Sequence, residues 1–123
     1  MTPEGRVKKL VDVVLEKVSS VLEETDQELY IQKPVPTGYG KRNTLDFHLC
    51  LAGHFIAIET KAPGEWLTPM QRQTCRTLYR AGATVWIVST PEGVDAFRRW
   101  IEKALQDIAV CSAEQGLSND PGP

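Results

Sequence analysis

Two strand-like runs, residues 45–51 and 54–61, are separated by only Ala52 and Gly53. Both are rich in β-branched, aromatic and aliphatic residues, and a linker this short commits them to an antiparallel hairpin. With a loop of two or four residues centred on Ala52-Gly53, facing residue numbers sum to 105, so Asp46 stands opposite Glu59 and Thr44 opposite Lys61. Side chains alternate along a strand, so all four then share one face. Ala-Gly is not an ideal pair for a primed turn, and a three-residue loop would throw the two carboxylates onto opposite faces. Loop parity therefore decides whether this hairpin carries a site.

Directly opposed residues have Cβ atoms roughly 4.5–5.5 Å apart, where two like charges destabilise each other unless something cationic lies between them. A divalent ion would remove the conflict. Glu59 and Lys61 lie two apart on one strand, so a carboxylate able to hold Mg²⁺ or Mn²⁺ adjoins an ammonium group able to stabilise charge developing on a phosphoryl oxygen. Alone, Glu-x-Lys reads as a solvated charge pair. Here it ends a strand that is otherwise Phe55-Ile56-Ala57-Ile58 and faces Asp46, which favours a site.

The chain has 123 residues, the size of one domain with one core. No apolar run approaches the roughly 18 residues that span a bilayer, and the first residues are charged throughout, so no membrane association and a cytoplasmic location are expected. Cys50, Cys75 and Cys111 match no zinc or disulfide spacing and read as reduced thiols. Net charge is −2, but residues 33 to 80 hold seven basic residues against three acidic ones. A basic middle around a carboxylate pair suits a polyanionic substrate brought to bound metal, although a chance fluctuation in a mixed surface would give the same balance.

Thr2 as N-cap and Pro3 at the first helical position open a helix of about five turns, with Val7, Leu10, Val11, Val14, Leu15, Val18, Val21 and Leu22 on its apolar stripe. Residues 29–35 read as a strand that Pro34 and Pro36 confine to an edge. Residues 37–43 form a loop in which Tyr39, Lys41 and Arg42 are suited to touch a ligand. After the hairpin come a loop over residues 62–67, a helix from Thr68-Pro69 to Ala81 with Gly82 closing it, and an apolar strand over residues 83–89 expected to be buried on both sides. A last helix starts at Thr90-Pro91 and turns Val94, Phe97, Trp100, Ile101, Leu105 and Ile108 inward. The order α-β-β-β-α-β-α predicts an α/β domain over residues 1–110 with a mixed four-stranded sheet flanked by helices, and a disordered polar tail over residues 111–123.

Gln71 has two readings. Thr68-x-x-Gln71 is a capping box, and the same residue shares with Cys75 and Leu78 a stripe expected to face the sheet, where it could orient metal-bound water or a phosphate. Arg72, Arg76 and Arg80 line the neighbouring stripe, either as a solvent face or as DNA-backbone contacts, with guanidinium geometry favouring the second. Glu4 suits the helix dipole. His48 and His54 read as packing or surface residues, and Trp66 either stacks on a base or caps the core.

Taken together, Glu4 in the first helix, Gly38-Tyr39-Gly40-Lys41-Arg42, Asp46, Glu59-Thr60-Lys61-Ala62-Pro63-Gly64, Thr68-Pro69-Met70-Gln71 and Ala81-Gly82-Ala83 resemble the PD-(D/E)XK nuclease superfamily. Within it, residues 3 to about 105 are similar to the stand-alone virus-type replication-repair nuclease (VRR-NUC) domains of phages and bacteria. The resemblance implies a restriction-endonuclease-like fold, with Asp46, Glu59 and the Thr60 carbonyl ligating Mg²⁺ or Mn²⁺ and Glu4 at the margin of the metal site. It also implies Lys61 in catalysis and Gln71 as an additional motif residue. It further suggests a structure-selective endonuclease acting on branched DNA such as four-way (Holliday) junctions, working as a homodimer in a bacterial cell or phage-infected host. Flap or restriction-like cutting on the same fold, and a binding module without activity, are the alternatives. Leu45 stands where the family usually has Pro, which removes a backbone constraint and no chemical group.

Overall fold

The computed structural model describes residues 1–34 and 44–115, with side chains as far as residue 108. Tyr39, Lys41 and Arg42, and the part of the expected tail from residue 116 onward, lie outside the described residues.

Helix α1 (Pro3–Leu22) begins as its sequence requires, with the Thr2 hydroxyl accepting the Gly5 N–H at 3.0 Å and Pro3 in the first turn, where no N–H is needed. Val7, Val11, Val14, Leu15, Val18 and Leu22 are buried, whereas Leu10 and Val21 fall on the flanks of the stripe and are exposed. Strands β1 (Leu29–Gln32), β2 (Phe47–Leu51) and β3 (His54–Thr60) form an antiparallel meander. Phe47 faces Ile58, and Leu51 faces His54. Ala52 and Gly53 both have positive φ, at 49° and 82°, the backbone of a two-residue primed turn whose twist matches the flanking strands. The register is therefore the one that sets position 46 toward position 59.

Ala62-Pro63-Gly64-Glu65 then turns sharply, with the Glu65 N–H donating to the Ala62 carbonyl and Gly64 at φ 84°. Helix α2 (Pro69–Arg80) ends in a Schellman closure: Gly82 at φ 101° donates to Tyr79 and Ala83 donates to Leu78. Strand β4 (Thr84–Val88) pairs parallel with β3, giving a mixed sheet in the order β1-β2-β3-β4. Helix α3 (Pro91–Gln115) follows.

One face of the sheet presents Phe47, Leu49, Leu51, Ile56, Ile58 and Val88 to the apolar stripes of α1 and α3, the latter contributing Val94, Phe97 and Ile101. This is the core. Two expectations need correction. Residues 84–88 are not buried on both sides: only Val88 is buried, because β4 is the edge strand and α2, which has no buried residue, covers it thinly. The last helix also continues past residue 110 to Gln115, since nothing in that stretch breaks a helix before Gly116.

Candidate active site

Asp46 is the last residue before β2, and there the regular ladder gives way to side-chain bonds. The Asp46 N–H donates to Oε1 of Glu59 at 3.1 Å. In return Oδ2 of Asp46 accepts the Thr60 N–H at 2.9 Å and the Thr60 hydroxyl at 2.6 Å. The two carboxylates thus take the place of backbone partners at the strand ends, which ties both to the hairpin. Thr44 and Lys61, expected as a facing pair, lie beyond this point and outside the β2–β3 ladder. Instead the Lys61 N–H donates to the Val88 carbonyl at 2.9 Å, prolonging the β3–β4 pairing by one residue.

Asp46, Glu59, Thr60 and Lys61 are the buried polar residues of the described chain. Asp46 is 8% exposed and Glu59 2%. Burial disfavours the charged form of Asp46, yet the hydrogen bond from the Thr60 hydroxyl, the side-chain hydrogen bond shared with Glu59, the Thr60 N–H and the Lys8 ammonium hold its carboxyl down at about 2. Lys8 on α1 places Nζ 3.4 Å from Oδ1 of Asp46. Simple repulsion between facing carboxylates is therefore not what this pair experiences. Hydrogen-bond donors and the Lys8 ammonium lie against it.

Helix α2 lies over the same face of the sheet. Gln71, Thr74, Cys75 and Leu78 are its half-buried stripe. The Cys75 thiol is pushed up by burial and by the neighbouring Glu59 carboxylate, so it stays protonated and is a poor metal ligand. Gln71 completes the capping box: its Oε1 accepts the Thr68 N–H at 2.9 Å while its own N–H donates to the Thr68 hydroxyl at 3.2 Å. That commits the amide oxygen to the helix end. Arg72, Arg76 and Arg80 are all exposed beside this stripe.

His48 has a local structural task. Its Nε2 accepts the Leu45 N–H at 3.1 Å, and its ring meets Phe55 edge-on at 5.3 Å, bracing the segment that delivers Asp46. Leu45 itself is fully buried. Trp66 is 65% exposed and does not cap the core, whereas its neighbour Leu67 is buried.

Lys8 and the Thr60 side chain were not legible as site residues. The family resemblance points to Thr60 only through its carbonyl, and Lys8 falls among several lysines on a helix whose pattern sorts only apolar residues. The available signal was its spacing from Glu4, since residues four apart share one helix face. Glu4, Lys8 and Asp12 are in fact a half-buried row along α1, and Asp12 pairs with Lys33 at 2.9 Å.

No three His, Cys, Asp or Glu side chains converge as a metal cluster among the described residues. The chemistry of the donors nonetheless fits a hard cation. Two buried carboxyl groups and backbone carbonyls offer only oxygen, and Mg²⁺ commonly takes one or two protein carboxylates while filling its remaining positions with water and substrate phosphate.

A mixed sheet with two helices packed on one face and a third over the crossover strand defines a restriction-endonuclease-like α/β domain. More specifically, the chain has the fold of a solved structure titled VRR_NUC domain, matched with a TM-score of 0.61 at 22% identity over 78% of this chain and 94% of that one. No family model matches the sequence, nor does any curated protein.

Proposed function

We propose that this chain is a metal-dependent endonuclease that hydrolyses phosphodiester bonds in DNA, selecting branched substrates such as four-way junctions and acting as a homodimer. The observation that carries the reading is the buried, hydrogen-bonded pair of Asp46 and Glu59, with buried Lys61 two residues beyond Glu59, in a chain with the VRR_NUC fold. Flap or restriction-like cutting would use the same residues.

Asp46, Glu59 and the Thr60 carbonyl would hold Mg²⁺ or Mn²⁺, with Glu4 near the margin one helical turn before Lys8. The bound ion would polarise the phosphate and lower the pKa of water. Lys61, on the strand that carries Glu59, supplies a fixed positive charge where negative charge grows on the phosphoryl group. Thr60 holds Asp46 in place through two hydrogen bonds. Gln71, with its oxygen committed to the cap, keeps its amide hydrogens for water or phosphate. Arg72, Arg76 and Arg80 on the exposed side of α2, with Tyr39, Lys41 and Arg42, bind the DNA backbone.

The test is incubation of the purified protein with Mg²⁺ or Mn²⁺ and a panel of linear, flap and four-way DNA. Preferred, paired incision of the four-way substrate is the expected result. Preferred cleavage of flaps or linear duplex selects the second reading, and binding without cleavage by any substrate shows a module without activity.

A further inference from the structure

Buried carboxylates need positive charge nearby even when no metal is bound. Asp46 receives it from outside the hairpin. The Lys8 ammonium lies 3.4 Å from Oδ1, the oxygen that Thr60 does not hold, and the lysine side chain is 44% exposed where that of Asp46 is 7%. A lysine stem is flexible enough to carry its charged end back into solvent. Lys8 therefore reaches the buried carboxylate with a side chain that is itself partly in solvent.

We infer that Lys8 is a positioning residue that serves as the resident counter-ion of Asp46 in the unloaded protein and competes with the divalent cation for that carboxylate. This rests on the proposed metal site. Two like charges cannot share one ligand oxygen without repulsion, so cation binding displaces the ammonium. Lys8 thereby holds the Asp46 carboxylate in place between turnovers, at a cost in metal affinity.

The experiment is a Mn²⁺ titration of the intact protein without DNA, followed by the paramagnetic resonance of free Mn²⁺ at low salt. Lys8→Met keeps the apolar stem and removes the charge. It is expected to bind Mn²⁺ about two- to fivefold more tightly than the wild type, the scale of a partly exposed ion pair, with the gain shrinking as salt screens it. Lys8→Arg should restore wild-type affinity. Melting in chelator should fall in Lys8→Met, and the deficit should close in saturating Mn²⁺, a pattern that lost packing would not give. Unchanged or weaker Mn²⁺ binding by Lys8→Met overturns the inference, while loss of binding in Asp46→Asn shows that the metal site itself stands. Absence of Mn²⁺ binding in the wild type overturns both.

Discussion

Asp46 and Glu59 do different work at the residue scale although they are one acidic pair. Asp46 is stabilised as an anion by Thr60 and Lys8, and Glu59 accepts the Asp46 N–H from a position with almost no solvent. Asp46→Asn and Glu59→Gln are each expected to lower Mg²⁺- or Mn²⁺-dependent cleavage by at least about a hundredfold while circular dichroism shows the fold intact, because each removes an anionic oxygen ligand. Near-wild-type rates at saturating metal would place the site elsewhere. Thr60→Val keeps the shape of the side chain and deletes the 2.6 Å donor to the carboxylate. Hydrogen bonds to charged groups contribute about 1.5–3 kcal/mol, so urea unfolding of the metal-free variant should show a loss of that order. A stability equal to wild type would mean that water replaces the hydroxyl.

The turn at Ala52-Gly53 and the start of α2 are the elements on which the site depends. Ala52 is the single non-glycine residue with positive φ among those described. An L-residue with a Cβ in that conformation costs about 1–2 kcal/mol, so Ala52→Gly, despite its greater freedom when unfolded, and Ala52→Asn should each raise stability by about 0.5–1 kcal/mol in chemical denaturation. A decrease would show that the turn is held in another conformation in solution. At α2, Gln71→Glu preserves a capping-box partner and adds a negative charge at the positive end of the helix. Melting should stay within about 0.5 kcal/mol of wild type while cleavage falls, if the amide hydrogens serve the reaction. Full activity in this variant would leave Gln71 with the cap as its only role.

For the whole molecule, paired incision of a symmetric junction requires two active sites related by a two-fold axis. The purified protein is expected to sediment at twice the 13.7 kDa chain mass at micromolar concentration without DNA. A mass equal to one chain would confine pairing to the substrate. The apolar residues of the last helix do not form a free contact face: Phe97 and Ile101 are fully buried in the core, and Trp100 packs against Trp86 and Phe97. No helix among the described residues is long and apolar enough to cross a membrane.

The element order, the helix caps and the hairpin register are local properties, which is why the sequence alone determined them. Thr2-Pro3 and Thr68-Pro69 announce helix starts, and a two-residue gap between β-rich runs leaves one pairing that puts Asp46 beside Glu59. Tertiary structure decided what depends on distant partners. Whether 84–88 is central or at an edge follows from the sheet order, not from its apolar composition. Likewise, whether facing carboxylates repel depends on what surrounds them, and here a hydroxyl from the opposite strand and a lysine from a helix some forty residues away supply the compensating charge and hydrogen bonds. Local sequence fixes which groups a strand presents. Only packing brings Lys8 to Asp46, because the ion pair forms across two elements whose approach is set by the burial of Val7, Val11 and Phe47, not by either charged residue.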